Sequence, residues 1–276
     1  IAPGAAGAAA SVWWKREEPP QSGQFAYALN IADAILGVLP ALAAGDVLLL
    51  QVQLRCAADC AAEQHEPVEL EPAIYEAIRL ATALDIVVVE AAGNGTKTND
   101  KAPHAAGAFD LALRPQRGTG LHALDPDNED EFRDSGAILV GAATKAFPHA
   151  RLAPDSSSCT PIGDPSRSSN YGRRVNCYAW GQCVYTPGVP DGSPTNYNSQ
   201  FNSTSSAAAI VAGAALAVQG ALRQRAGRRL DSWEMRTLLA NEAYGTPSAD
   251  PDVDQIGVMP NLFKLLNQGL DELPPA

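Results

Sequence analysis

The chain has 276 residues, of which 46% are hydrophobic and 18% charged, and its 31 acidic and 20 basic side chains give a formal net charge of -11. A chain of this length can bury enough apolar surface to fold without a disulfide or a metal. The acidic balance argues against a nucleic-acid partner, and no apolar run reaches the roughly 18 to 20 residues of a bilayer span, which argues against a membrane partner.

Alternating strands and helices predict an α/β fold. Strands that are apolar on both faces, as buried parallel strands are, are expected over residues 46–52, 86–89 and 137–140. Helices are expected over residues 28–44, 71–84 and 206–225. The third helix is apolar on all sides for its first three turns, so we expect it to run through the interior. The pattern predicts a mostly parallel sheet with helices on both faces.

Segments rich in proline, glycine, serine or aspartate interrupt this pattern at residues 55–67, 96–134, 147–168 and 189–200, and they are interpreted as surface insertions. No domain boundary stands out, so residues 1–276 are expected to form a single domain in which residues 1–22 are an N-terminal strand and connection. The acidic stretch at residues 125–131 could hold a structural calcium ion, but it lacks the glycine of an EF-hand loop and also has the composition of a solvated loop.

The cysteines indicate possible disulfides rather than a metal site. There are five, Cys56, Cys60, Cys159, Cys177 and Cys183, without a CxxC pair or a histidine at ligand spacing, so no metal-binding residue is predicted. An odd count leaves one thiol free or paired with another chain. Local disulfides would imply an oxidising compartment, and we therefore expect a secreted or extracytoplasmic protein.

Two short motifs combine unusual local geometry with chemistry. Ala91-Ala92-Gly93-Asn94-Gly95 follows the strand at 86–89, and Asn94 at a strand end can aim its amide NH2 into a cleft. Ser205 lies where the buried helix begins, in the positive field of the helix N-terminus, where free N–H groups can stabilise an oxyanion. Taken singly, these motifs could also be an Asn-Gly turn and an ordinary N-cap.

In their order along the chain, these segments resemble the subtilisin-like serine proteases, or subtilases. Thr204-Ser205-Ser206-Ala207 and the following Val211-Ala212-Gly213 are similar to the family's Gly-Thr-Ser-x-Ala motif and small-residue helix. The resemblance implies a three-layer α/β/α fold with a buried central helix after the nucleophile. It also implies peptide-bond hydrolysis, with Ser205 as the nucleophile and the side chain of Asn94 as an oxyanion donor beside the backbone N–H of Ser205.

The same resemblance assigns residues to binding of an extended polypeptide substrate. These are Gly23, Gln24, Phe25, Leu50, Gln51, Val52, Ala92, Gly93 and Thr204. The segments around residues 23–25 and 50–53 would flank the substrate and pair with its backbone as added strands. The chemistry implied requires no cofactor.

The family's general base and its orienting acid are absent from this chain. The histidine motif, His-Gly-Thr, does not occur. Asp-Ser-Gly occurs once, at Asp134-Ser135-Gly136, but it lies after the Asn94 segment rather than ahead of a His-Gly-Thr motif. His65, His104, His122 and His149 all lie in insertions or loops beside strands, where we expect them to be exposed. Ile1-Ala2-Pro3 resembles the family stretch that follows the histidine helix. We therefore expect an N-terminal fragment carrying the aspartate and the histidine to complete the site.

Two alternatives remain open at the level of sequence. The chain could be an inactive subtilase relative that binds peptides or a protein partner, because Ser203 replaces the glycine that precedes Thr-Ser in the family. A nucleotide-binding α/β domain is disfavoured, because neither GxGxxG nor GxxxxGK[ST] is complete.

Overall fold

The structure is a computed structural model that describes residues 4–15, 27–56, 64–95, 108–153, 168–187 and 196–273. The α-helices are α1 Ile31–Val38, α2 Pro72–Ala83, α3 Ser203–Ala226, α4 Ser232–Leu239, α5 Pro251–Asp254 and α6 Leu262–Lys264. The strands are β1 Trp13–Lys15, β2 Tyr27–Leu29, β3 Val47–Leu50, β4 Leu54–Arg55, β5 His65–Glu66, β6 Val87–Ala91, β7 Asn94–Gly95, β8 Ile138–Ala143, β9 Ser168–Ser169, β10 Cys177–Trp180, β11 Val184–Pro187, β12 Tyr197–Phe201, β13 Gly245–Pro247 and β14 Val258–Pro260.

The main sheet has the strand order β13-β14-β10-β8-β6-β3. All neighbours in it run parallel except β13 and β14, which are antiparallel. The three sequence-predicted strands are β3, β6 and β8, within a few residues of their expected bounds. Because they are parallel neighbours, their carboxyl ends meet at one edge of the sheet, which is the edge that brings the candidate site together.

Helix α3 covers one face of the sheet, as the sequence predicts for an all-apolar helix. Val87, Val89 and Ala91 of β6 point to this side and join a buried cluster with α3 side chains such as Val211 and Val218. The helix ends at Gly227, which adopts the left-handed conformation (φ 67°) that favours glycine. By length and composition α3 could cross a bilayer, but 56% of its most apolar window is buried inside the domain, as is typical of a core helix.

Helices α1 and α2 cover part of the opposite face. Val88 of β6 points to this side and packs with Ile35 of α1 and Ile78 of α2 in a second buried cluster. The alternation of Val87, Val88 and Val89 between the two faces gives three layers, α/β/α. The fold class predicted from the sequence is confirmed.

The helix expected over 28–44 is shorter than predicted. Residues Tyr27–Leu29 form β2, which pairs with β1 away from the main sheet, and α1 begins only after Asn30, whose side-chain oxygen accepts a hydrogen bond from the Asp33 N–H at 3.2 Å. Pro40 then ends the α-helix in a 3-10 turn over Leu39–Ala41. The prediction was wrong at both ends because helical spacing of apolar residues does not reveal a cap or a turn.

Two of the expected surface insertions are partly interior. The described part of 96–134, residues 108–134, contributes Leu111 and Leu124 to a buried cluster under the sheet. Within 147–168, Leu152 is buried. The segment 189–200 was also expected to be an insertion, but its end forms β12, which pairs with β11 as a hairpin leading into α3.

Candidate active site

Ser205 is the third residue of α3, at the helix end that follows the β11–β12 hairpin. The first N–H groups of a helix have no partner within it. Here the Ser203 N–H donates to the Gly181 carbonyl at 2.7 Å and the Thr204 N–H to the side chain of Asn94. The Ser205 N–H has no partner in the described part of the chain, so it remains available to an anion beside its own hydroxyl.

The hydroxyl of Ser205 contacts the segment that follows β3. Its Oγ accepts a hydrogen bond from Gln53 Nε2 at 3.0 Å and donates one to the Gln51 carbonyl oxygen at 3.2 Å. In return, Gln51 Nε2 donates to the backbone oxygen of Ser205 at 3.1 Å. These contacts join positions 152 and 154 residues apart at the carboxyl end of β3.

Asn94 is held in one orientation by Thr204. Its Oδ1 accepts from the Thr204 N–H at 3.1 Å and from the Thr204 hydroxyl at 2.7 Å. A backbone N–H can only donate, so the accepting atom must be the amide oxygen and the opposite atom must be the NH2 group. Asn94 is 2% exposed, and its NH2 has no hydrogen-bond partner among the described residues. The structure therefore brings the two predicted catalytic side chains to one site, linked through Thr204.

Asn170 supports the turn that carries Asn94, and sequence reasoning did not single it out. Its Nδ2 donates to the carbonyls of Ala92 at 3.0 Å and His65 at 2.9 Å, and its backbone N–H donates to the Gly93 carbonyl at 3.1 Å. Gly93 has a φ of 91°, and a Cβ there would lie 2.5 Å from the His65 oxygen and 2.6 Å from Asn170 Nδ2. The close approach that the glycine allows is thus to the protein's own backbone.

The other residues assigned to substrate binding lie in different surroundings. Ala92 and Thr204 are fully buried, Leu50 is 6% exposed, Gln51 is exposed and Val52 is half-buried. Gln51 hydrogen-bonds to Ser205, and Leu50 and Val52 are its neighbours in the chain at the end of β3. Their assignment to substrate binding stays a prediction. Gly23, Gln24 and Phe25 lie outside the described residues.

Ser203 occupies backbone space that suits glycine. Its φ is 68°, in the left-handed region, where a Cβ costs about 1 kcal/mol or more. Its side chain is 2% exposed, and its hydroxyl has no hydrogen-bond partner in the described structure. The left-handed backbone thus explains why the Gly-Thr-Ser motif has glycine at this position. Serine adopts the same conformation here only with strain.

Ser203→Gly is expected to raise the free energy of unfolding by about 1 kcal/mol, because it removes both the strained Cβ and a buried unsatisfied hydroxyl. Chemical denaturation measures the change. Ser206→Gly is the matched control: Ser206 has ordinary helical backbone and its hydroxyl donates to the Ser203 carbonyl at 2.8 Å, so this change should destabilise the protein. Destabilisation by Ser203→Gly would contradict the strain argument.

The described histidines have partners other than Ser205. His122 pairs with Glu131 at 3.2 Å, and His149 Nδ1 lies 2.9 Å from the Thr144 carbonyl. His149 was expected to be exposed, but it is 6% exposed, and its ring contacts those of Phe147, Tyr178 and Trp180. Aromatic packing is what buries it. No described histidine hydrogen-bonds to Ser205, and His104 lies outside the described residues.

Two side chains of the acidic stretch have partners within the protein. Asp127 pairs with Arg173 and Glu131 pairs with His122, and no group of three or more His, Cys, Asp or Glu side chains within the described ranges is arranged to hold a metal ion. Calcium at residues 125–131 therefore stays a prediction without a supporting contact.

The cysteines divide into two kinds. Cys56 and Cys183 are disulfide-bonded, whereas Cys177 on β10 is a free thiol in the core, where burial raises its pKa to about 12. A thiol with so high a pKa stays protonated at neutral pH and is a poor nucleophile. Cys60 and Cys159 lie outside the described residues.

Comparisons with known proteins identify the family. The family model described as the subtilase family matches residues 42–260. Among solved structures, a lanthipeptide protease is 18% identical and has a TM-score of 0.54, with 87% of this chain and 66% of that one covered. The patellamide maturation protease PatA is 18% identical with a TM-score of 0.48, over 85% of this chain and 67% of that one. A cold-adapted subtilisin-like serine proteinase is 18% identical with a TM-score of 0.45, over 83% and 58%.

No curated protein sequence matches the chain significantly. The chain spans 58% to 67% of the length of the three structures above. The family model nevertheless covers well over half of the chain and includes the segments of Asn94 and Ser205. The chain belongs to the subtilase family of serine proteases.

Proposed function

We propose that this chain carries the nucleophile and the oxyanion donors of a serine endopeptidase. The observation that carries the proposal is the linked geometry of Ser205 and Asn94. Ser205 presents its hydroxyl at the N-terminus of a buried helix, and Thr204 fixes the amide of Asn94 so that its NH2 remains free to donate. Two donors, this NH2 and the Ser205 N–H, can then share one oxyanion.

In the proposed reaction, Ser205 Oγ attacks the carbonyl carbon of a peptide bond. The C=O electrons move onto the oxygen, which accepts hydrogen bonds from Asn94 Nδ2 and from the Ser205 N–H. Collapse of this tetrahedral intermediate expels the amine and leaves an ester on Ser205, which water then hydrolyses. The leaving amine needs a proton, and the attacking hydroxyl must lose one, so a general base that becomes a general acid is required.

We propose that the base and its orienting aspartate come from a polypeptide segment other than the one described, as the family motifs imply. The groups that contact the Ser205 hydroxyl, the Gln53 amide and the Gln51 carbonyl, are not bases at neutral pH. We therefore expect a histidine to approach Ser205 from a segment outside the described residues.

The outermost strand of the main sheet, β3, supports the proposal that another segment supplies the base. Among the described strands, β3 pairs only with β6, and Val47, Leu48 and Leu49 of β3 are only partly buried although apolar. An apolar edge strand with unpaired backbone groups favours pairing with another strand. A parallel strand added there would end beside Gln51, and therefore near Ser205.

The proposal is tested on the native protein purified with every polypeptide that accompanies it. We expect a fluorophosphonate to form a covalent adduct that peptide mass spectrometry locates on Ser205, and we expect the protein to cleave casein. Mass spectra under native and denaturing conditions should then reveal a companion segment with Asp-[Ser/Thr]-Gly and His-Gly-Thr motifs. Material that is neither labelled nor proteolytic would overturn the proposal and leave a peptide-binding relative without activity.

Asn94→Ala is expected to lower kcat by about 10² to 10³, as removal of one oxyanion donor does in a subtilisin, with little change in KM. The reason is that the amide donates to charge that develops only in the transition state. Steady-state kinetics on a peptide substrate measure the loss. Asn94→Asp keeps the acceptor for Thr204 but puts an anion where the oxyanion forms, so it should lower kcat at least as far. An unchanged kcat in both variants would remove Asn94 from the mechanism.

We also propose a secreted or extracytoplasmic location. Disulfides at Cys56 and Cys183 support it, because such bonds persist in oxidising compartments. Alkylation of native material with and without prior reduction tests it: both cysteines should be alkylated only after reduction.

A further inference from the structure

Gln53 lies three residues beyond the end of β3 and contacts both the nucleophile and the residue before it. Its Nε2 is 3.0 Å from Ser205 Oγ and 3.2 Å from Thr204 Oγ1. The side chain is half-buried, and its other amide atom, Oε1, is a buried acceptor without a hydrogen-bond partner in the described structure. A buried polar atom left without a partner is costly, so the amide must gain from the contacts that hold it there.

The hydrogen-bond directions around Gln53 are fixed by the backbone. The Thr204 N–H makes Asn94 Oδ1 an acceptor, so the Thr204 hydroxyl must donate to Oδ1 as well. The Thr204 oxygen can then only accept from Gln53, and the atom facing it must be Nε2. The same NH2 donates to Ser205 Oγ, whose proton points to the Gln51 carbonyl.

From this chain of contacts we infer that Gln53 is a positioning residue for the nucleophile and the oxyanion donor. The inference rests on the proposed function of Ser205 and Asn94. By donating to both Ser205 Oγ and Thr204 Oγ1, one amide sets the position of the nucleophilic oxygen relative to the Asn94 NH2. It also leaves the Ser205 proton on the side of the β3 edge, where the proposed base would arrive.

If Gln53 positions the nucleophile, its loss should lower the rate of reaction at Ser205. A misplacement of about 1 Å at a reacting centre can cost about 100-fold in rate. Gln53→Ala removes both hydrogen bonds and should lower the rate of fluorophosphonate labelling of Ser205, and kcat for a peptide, by about 10- to 100-fold. KM should change little. Gln224→Ala, which removes an exposed glutamine at the far end of α3, is the matched control and should label at the wild-type rate.

Gln53→Glu separates positioning from a merely structural role. The variant keeps the shape of the side chain but can donate to Ser205 only when its carboxyl is protonated. The ratio of its labelling rate to that of wild type should therefore rise as the pH falls toward the carboxyl pKa of roughly 4.3, while the ratio for Gln53→Ala stays flat. A Gln53→Ala rate equal to or above wild type, or a flat ratio for Gln53→Glu, would overturn the inference.

Failure of the proposed function gives a different result. In that case wild-type Ser205 takes no label. A crystal structure of Gln53→Ala then shows whether Gln53 sets the orientations of the Ser205 and Asn94 side chains. Reoriented Ser205 and Asn94 side chains would support the positioning role of Gln53. Unchanged orientations would refute it.

Discussion

Ser205→Ala is expected to abolish fluorophosphonate labelling and to lower kcat by about 10⁶, the size of the loss when a subtilisin loses its nucleophile. No neighbouring hydroxyl can substitute. Ser206 lies next in the chain, but its Oγ lies 2.8 Å from the Ser203 carbonyl and 3.4 Å from the Trp180 carbonyl, and its side chain is fully buried. Labelling with a fluorophosphonate and hydrolysis of a peptide substrate measure the two losses.

Ser206→Ala is the matched control for this change, because it removes the same atom one position along the same helix. We expect it to lower stability by about 1 kcal/mol through its lost hydrogen bond and to keep the label on Ser205. Label that persists in Ser205→Ala, or that disappears in Ser206→Ala alone, would place the nucleophile elsewhere.

The fold was largely readable from the sequence because its signals are local. Runs such as Val87-Val88-Val89 are apolar at every position, as is typical of a strand covered on both faces, and α3 is apolar on all sides for its first turns, as is typical of an interior helix. The motif order then placed Asn94 and Ser205 at the ends of neighbouring elements. That much of the site follows from topology alone.

What the sequence did not reveal depends on contacts between distant positions. Gln53 and Asn170 support the site through hydrogen bonds to residues 152 and 105 positions away. A glutamine or asparagine in a loop gives no indication in the sequence of which distant residue it will bind. The positive φ of Ser203 is hidden because serine rarely adopts it. Leu111 and Leu124 looked like parts of a surface insertion because burial there comes from the loop folding back over the sheet.

A buried charged cluster lies under the strand that leads to Asn94. Glu90 is the fourth residue of β6 and is 0% exposed, Glu69 is 1% exposed and Arg174 is 2% exposed. Arg174 Nη2 is 3.0 Å from one Glu69 oxygen and 3.1 Å from the other, and it also donates to the Ala137 carbonyl at 3.2 Å. The Glu69 N–H donates to Glu90 Oε1 at 3.1 Å. Arg174 thus contacts Glu69, and the backbone of Glu69 links this pair to Glu90.

Burial, and then repulsion from Glu69, raises the pKa of Glu90 well above its usual 4.5. The folded protein therefore holds a proton that the unfolded chain releases. The stability that this proton contributes is fully present below the pKa of Glu90 in the unfolded chain, and it is lost as the pH rises through the pKa of Glu90 in the folded protein.

An amide at this position cannot titrate, so Glu90→Gln should gain stability relative to wild type as the pH rises from about 4.5 toward neutrality. Denaturant unfolding of both proteins across this pH range measures the difference, and parallel stability curves would show that Glu90 is ionised in the folded protein.

Arg174→Met is expected to lower the free energy of unfolding by about 3 to 5 kcal/mol at neutral pH, because it leaves the Glu69 carboxylate buried without its cation. Denaturant unfolding followed by circular dichroism measures the loss. Arg79→Met is the matched control: Arg79 pairs with Glu76 at 3.5 Å on the surface, with side chains 55% and 66% exposed, and such pairs contribute about 0 to 1 kcal/mol. Equal losses in the two variants would mean that Arg174 contributes no more than a surface arginine.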